Sequence, residues 1–319
     1  MAERDLADRL DETVALIIAR GDATAALRDP ELAPLARLAA DLRHYPDPEF
    51  KVRLRAQLER RTTMTTTLTT AAVREGFTTV TPYIRVRDAR LFDFLAQVFD
   101  ARETFSGRGE GGGMHREIRI GDSMVMIGEG AEGGGVMPIR PMAFHVFVND
   151  VDATFKRAIA AGATSLGEPA DRPYGERAGF VADPVGNHWY IATPLGPDSV
   201  ASALRTVTPF LHAQGSAEYC EFLQRALGAV EEARHDEGGK LRYARLRVGD
   251  GKIELGEGAL MPGSFLLYVE YPDAVYQQAV DAGAKAVMEP TDQPYGRIGG
   301  VEDALGNQWF FSRPATASS

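Results

Sequence analysis

The chain has 319 residues, 44% of them hydrophobic and 25% charged, which fits a soluble globular protein of about two to three domains. Acidic residues outnumber basic ones 45 to 35, a net charge of −10, which argues against a nucleic-acid partner held by clustered cations. No apolar run reaches the ~20 residues of a membrane-spanning helix, the first residues form no apolar signal core, and the single cysteine, Cys220, allows no internal disulfide. The expectation is a cytoplasmic protein with no membrane partner.

Residues 1–61 carry helical patterning. Leu6, Leu10, Val14 and Ile17 recur at helical spacing, and Asp29-Pro30-Glu31 and Asp47-Pro48-Glu49 are helix starts. Three short helices are expected. Arg53, Arg55, Arg60 and Arg61 on the third read as a solvated face, with an anion partner as the alternative. Thr-rich residues 62–78 read as a linker.

From residue 79 the chain repeats itself. Thr79-Val80-Thr81-Pro82-Tyr83-Ile84 returns as Thr206-Val207-Thr208-Pro209-Phe210-Leu211. Gly121-Asp122 with Gly128-Glu129-Gly130 returns as Gly249-Asp250 with Gly256-Glu257-Gly258. Pro173-Tyr174-Gly175 returns as Pro294-Tyr295-Gly296, and Asp183-Pro184-Val185-Gly186-Asn187-His188-Trp189 as Asp303-Ala304-Leu305-Gly306-Asn307-Gln308-Trp309. Two copies in one order mean a duplicated domain, 79–195 and 206–313. In the first copy, strands are expected near 79–86, 114–120, 123–128, 142–148, 163–166, 178–182 and 187–192, with helices near 89–99 and 151–161. The glycines of 107–113 and 133–135 read as turns. Curved sheets with helices on one face follow. Cys220, between Tyr219 and Phe222, reads as a packed thiol on a helix.

These motifs together resemble the vicinal-oxygen-chelate superfamily of glyoxalases, bleomycin resistance proteins and dioxygenases. The residues that carry the resemblance are Thr81–Ile84, His115–Asp122, Val148–Ala153, Ala161–Thr164, Pro173–Arg177 and Asp183–Trp189. The resemblance implies an α+β fold of tandem glyoxalase-like domains, each of paired βαβββ modules forming curved mixed sheets around a small-molecule cleft. The two repeats would pack as an intramolecular pseudo-dimer. The superfamily's metal ligands would fall at Thr81, Ala143 and Tyr190 in the first copy and at Thr208, Ser264 and Phe310 in the second. None is a metal-binding type, so no metal and no cofactor are expected. A displaced site from His115, His145 and His188 is the alternative.

Strand alternation sorts the side chains. Val80, Ile84, Val86, Ile118, Ile120, Phe144, Val146, Trp189 and Ile191 should pack on helices. Tyr83, Arg85, His115, Met126, His145, Phe147, His188 and Tyr190 should face the first copy's cleft. His145, His188 and Tyr190 are the catalytic candidates there. Tyr174 and Arg177, beyond the Pro-Tyr-Gly turn, either close over that cleft and hold an anion or belong to the turn alone. The second copy's cleft would hold His212, Tyr243, Glu254, Tyr268 and Tyr295, with Glu254 and His212 as either a proton-transfer pair or an exposed charge pair. The first copy's histidines have no counterpart in the second: His115 matches Tyr243, His145 matches Leu266 and His188 matches Gln308. The expected function is metal-independent binding of an aromatic or amphipathic metabolite or antibiotic in the first copy's cleft. The alternatives are a metal-free lyase or isomerase using His and Tyr, and a ligand-sensing regulator.

Overall fold

The computed structural model describes residues 76–108, 112–130, 137–196 and 199–315. The chain divides into compact units at residues 1–63 and 64–319, and the described residues belong to the second. The helices expected in 1–61 and the 62–75 stretch of the linker lie outside them.

Among the described residues the order β-α-β-β-β occurs four times. The first module is β1 (Val80–Val86), α1 (Arg90–Phe99), β2 (Arg102–Arg108), β3 (Met114–Ile120) and β4 (Ser123–Glu129). The second is β5 (Ala143–Phe147), α2 (Val151–Ala160), β6 (Thr164–Arg172), β7 (Glu176–Ala182) and β8 (His188–Pro194). The third is β9 (Val207–Ala213), α3 (Ser216–Leu227), β10 (Val230–Glu237), β11 (Lys240–Val248) and β12 (Gly251–Glu257). The fourth is β13 (Ser264–Tyr268), α4 (Pro272–Asp281), β14 (Lys285–Gln293), β15 (Gly296–Glu302) and β16 (Gln308–Pro314). Among the described residues no helix is long and apolar enough to cross a membrane.

Each helix forms because its apolar residues return every three or four positions. In α1 these are Leu91, Phe94, Leu95 and Val98, all buried. Asp150 caps α2 by accepting the Ala153 amide at 2.9 Å, and Pro272 opens α4 at a position where its missing N–H costs nothing. The buried helix faces meet the side chains assigned to packing by alternation: Ile84, Ile118, Phe144, Val146, Trp189 and Ile191 all lie in the main core. Phe144 stacks on Trp189 and Phe265 on Trp309, each pair with ring centroids 4.7 Å apart. Cys220 is buried in that core, and burial pushes its thiol up to about 11, the state of a packing side chain.

The repeated Asp-x-x-Gly-Asn-x-Trp motif is a self-contained turn. Asp183 accepts from the amides of Val185 and Asn187, from the Asn187 side chain and from Trp189 Nε1, all between 2.8 and 2.9 Å. Asp303 does the same for Leu305, Asn307 and Trp309, and also receives the Tyr219 hydroxyl at 2.7 Å. One buried carboxylate thus anchors both a turn and the core tryptophan beside it.

Neither sheet belongs to one copy. The modules assemble into two eight-stranded sheets, ordered β14-β15-β16-β13-β1-β4-β3-β2 and β10-β11-β12-β9-β5-β8-β7-β6. The first sheet joins the first and fourth modules through the antiparallel pair β1–β13, and the second joins the second and third through β5–β9. This corrects the expectation of one cleft per copy. The Gly-Asp turns lock the exchange. Asp122 Oδ1 accepts from the Thr206 amide at 2.8 Å, and Asp250 Oδ1 accepts from the Thr79 amide and hydroxyl at 2.7 Å. Gly121 and Gly249 have positive φ and lie so close to Thr206 and Thr79 that a Cβ at either would clash. The threonine that opens each repeat therefore docks on the turn of the other copy.

Strand β2 was not expected from sequence. All its residues except Gly107 are exposed, so as an edge strand it shows no alternation.

Candidate functional site

The two sheets present different surfaces on the sides away from the helices. The first sheet's surface is an apolar cluster of its own: Phe77, Met124, Met126, Leu266, Tyr268, Ile298 and Phe310 are buried together, with Tyr83 packed against them. His115 lies at its edge, with Nδ1 3.1 Å from the Tyr83 hydroxyl and Nε2 3.5 Å from Glu117. The Tyr83 phenol is held above its usual range by burial. Tyr295 is 61% exposed and acts electrostatically on Tyr83, which sets it at the rim of this surface. Arg85 occupies the same strand as Tyr83, with its Nε buried and without a hydrogen-bond partner.

The second sheet's surface is polar at its centre and aromatic around it. His145 projects from β5 and is 7% exposed. Its Nδ1 donates to Glu254 Oε2 on β12 at 3.0 Å, and its Nε2 lies 3.3 Å from Glu176 Oε2 on β7. Both carboxylates are 0% exposed. Burial alone would lower the His145 pKa, but the two carboxylates outweigh it and raise it to about 10, so the imidazole is a cation at neutral pH. Glu254 also accepts the Tyr243 hydroxyl at 2.9 Å, and burial beside this carboxylate holds the Tyr243 phenol far above its usual range. Ser199 donates to Glu176 Oε1 at 3.3 Å. Among the described residues Glu176 Oε2 is held by His145 alone, as an ion pair.

Aromatic rings enclose this network. Phe147 lies 4.3 Å from His145 between ring centroids, and Tyr190 makes edge contacts with Phe180 at 5.0 Å and Phe210 at 5.2 Å. Gly256 lets the Phe210 ring lie on the β12 backbone; a Cβ there would meet the ring at 2.9 Å. The Tyr190 hydroxyl is 2.6 Å from His212 Nε2. Burial lowers the His212 pKa and raises that of Tyr190 to about 12, so a neutral phenol faces a neutral imidazole. Burial also lowers the pKa of His188, which opens β8. Tyr174 is 52% exposed and acts electrostatically on Tyr190, so it stands at the rim.

The candidates named from sequence therefore separate by sheet and not by copy. Tyr83, Arg85, His115, Met126, Tyr268 and Tyr295 belong with the first sheet. His145, Phe147, Tyr174, His188, Tyr190, His212, Tyr243 and Glu254 belong with the second. Glu254 and His212 do not pair with each other: Glu254 holds His145 and Tyr243, and His212 holds Tyr190. Arg177 is engaged elsewhere, bonded through Nε and Nη2 to Asp152 at 2.7 and 2.9 Å and through Nη1 to Asp171 at 3.0 Å. Arg297 repeats this with Asp273 and Asp292, so the repeated arginine is a brace between strand and helix. Phe180, Phe210 and Glu176 escaped the sequence reading. Glu176 did carry a signal: Pro173-Tyr174-Gly175-Glu176-Arg177 becomes Pro294-Tyr295-Gly296-Arg297, one residue shorter.

The donor set does not fit the superfamily's metal. Thr81, Ala143, Tyr190, Thr208, Ser264 and Phe310 offer no ligand of the usual kind, and among the described residues no group of three or more His, Cys, Asp or Glu is arranged to hold a metal ion. His115 lies on a different sheet from His145 and His188, so these three do not form a displaced site.

The family model described as the Glyoxalase/Bleomycin resistance protein/Dioxygenase superfamily matches residues 78–191 and 213–311. Uncharacterised proteins of Mycobacterium bovis and Mycobacterium tuberculosis are 36% identical over 126 residues, covering 36% of this chain and 83% and 74% of theirs. The crystal structure of glyoxalase I from Zea mays superposes with a TM-score of 0.56 at 16% identity, over 73% of this chain and 92% of that one. At that identity the likeness speaks for the fold alone.

Proposed function

The chain belongs to the Glyoxalase/Bleomycin resistance protein/Dioxygenase superfamily, and we propose that it binds a small aromatic or amphipathic molecule in the cleft of the second sheet. The reading is one of sequestration, with the compound held between aromatic rings and anchored by a few polar groups. The observation that carries it is the Glu176–His145–Glu254–Tyr243 network. Burying an imidazolium between two carboxylates costs several kcal/mol of desolvation, of order that which a hydrophobic replacement would avoid. The fold does not need the network, since the first sheet has Leu266 and Met126 at the positions of His145 and Glu254 and is buried there. A charged centre kept where an apolar one suffices is a mark of a site.

The test is equilibrium dialysis of the full chain against a pool of aromatic metabolites, with retained compounds read by mass spectrometry. Retention should fall at least tenfold in Phe210→Ala and stay unchanged in Met126→Ala. Retention lost in Met126→Ala and kept in Phe210→Ala would move the site to the other sheet and defeat the reading.

A second reading rests on the Tyr190–His212 contact of 2.6 Å. A neutral histidine within hydrogen-bond reach of a tyrosine hydroxyl can pass a proton to or from it, so a metal-free lyase or isomerase would use this pair as acid and base. Exchange of an acidic C–H of a retained compound with deuterated water, lost in His212→Ala, is the observation it requires.

A further inference from the structure

A cavity of about 640 Å³ opens between the first two modules, at the ends of α1 and β3 and the start of α2. Of the cleft residues described above, only Phe147 reaches it. Three cations line it: Arg102 on β2, Arg119 on β3 and Arg157 on α2. Arg102 and Arg119 stand directly opposite each other on paired strands, a like-charge placement that opposes the pairing. Arg157 Nη2 donates to the Val98 carbonyl at 3.1 Å and to Thr154 Oγ1 at 3.0 Å, which fixes that side chain in place. Among the described residues no carboxylate forms an ion pair with any of the three. The second copy shows that the fold does not call for this. Its β10–β11 pair sets Val230 opposite Arg247 in the same register, and Gln278 stands for Arg157, donating to the Arg225 carbonyl at 2.7 Å. Arg247 Nε there meets Glu232 Oε1 at 3.1 Å, where the first copy has Thr104. The second copy keeps one arginine with an acid, and the first keeps three without.

We propose that this cavity is a ligand site separate from the cleft, and that it takes an organic monoanion, a carboxylate on an apolar body. The carboxylate supplies the acid that Arg119 lacks and is shared with Arg102, so that two repelling cations acquire a common partner. The N–H groups of a guanidinium form a fork that matches the two oxygens of a carboxylate. Asp100 and Asp150 also line the cavity, so its charge is +1 (three arginines less two aspartates), which balances one negative charge and not two. Asp150 is already engaged as the cap of α2, accepting the Ala153 amide. Phe99, Ile120 and Phe147 line the same cavity and suit the apolar body. The cations are within reach of a ligand, since Arg102 and Arg157 are exposed and Arg119 is half-buried.

The experiment compares 2-naphthoate with 2-naphthamide, which has the same rings and nearly the same shape and carries no charge. Affinities are measured by calorimetry on the full chain, on Arg102→Val, which adopts the second copy's own residue, on Arg119→Gln and on Phe210→Ala. Wild type should bind the naphthoate at least tenfold more tightly than the amide. Arg102→Val and Arg119→Gln should each lose most of that preference, and Phe210→Ala should keep it. Equal affinity of wild type for the two probes overturns the inference, as does failure of both to bind. A preference that survives both arginine variants overturns it too. A preference lost in Phe210→Ala and kept in the arginine variants would put the carboxylate in the cleft and equally defeat the proposal. If Arg119→Gln does not fold, Arg102→Val decides, since that position is exposed.

Discussion

His145 holds its proton more tightly in the folded chain than out of it. Its pKa is about 10 in the fold against 6.5 for a free histidine, because Glu254 and Glu176 together outweigh the burial that opposes the charge. A raised pKa means that its contribution to stability is fully present below about pH 6.5. It declines above that value and is gone once the pH passes about 10. The urea midpoint of wild type should therefore fall between pH 7 and 11 more steeply than that of His145→Leu, and parallel curves would mean that the imidazole is neutral in the fold. Legibility was mixed at this scale. His145, Tyr190 and Glu254 could be found by alternation along their strands. The partner of each could not, because the two carboxylates that reach His145 come from β7 and β12, neither of which neighbours β5. Sequence distance hides such a contact: His145 and Glu254 are 109 residues apart.

The two clefts make an internal experiment on what a charged network does to a sheet. Removing His145 alone leaves Glu176 and Glu254 buried without a cation, so His145→Leu should cost about 3–5 kcal/mol by urea unfolding. Converting the whole network to the other sheet's choices, His145→Leu with Glu254→Met and Glu176→Gly, should return stability to within about 1 kcal/mol of wild type while abolishing retention of aromatic compounds. A triple variant no more stable than His145→Leu would mean that the network supports the fold and not a site. The elements themselves were largely readable. Helices α1 and α2 and the central strands have one clear apolar face. Strand β2 lies exposed at a sheet edge and gave no pattern to read. The pairing of modules was also hidden. β1 and β9 carry nearly the same residues, Val-Thr-Pro-Tyr-Ile-Arg-Val and Val-Thr-Pro-Phe-Leu-His-Ala, so neither specifies which strand lies beside it. That choice is made by the Gly-Asp turns and their threonines, whose partners lie in the opposite copy.

At the scale of the molecule, each copy is left incomplete by the exchange. The second copy alone would present β9 without β5 and β13 without β1, two open edges with unpaired backbone groups. Expressed as residues 199–319, it should self-associate by joining β9 of one molecule to β13 of another, and sedimentation should give a dimer. A stable monomer would show that its two modules can close on each other. In such a dimer of identical chains, symmetry makes the two clefts copies of one another: any side chain introduced into one is imposed on the other. Joining the copies in one polypeptide lifts that constraint. One cleft draws on the outer quarters of the repeat and the other on the inner quarters, so four independent stretches of sequence supply two rooms. One room is furnished with Met126, Leu266 and Phe310 and is closed by its own side chains, and the other has kept its ions. A division of labour between a wall that stabilises and a wall that recognises is open to this chain and closed to a symmetric pair.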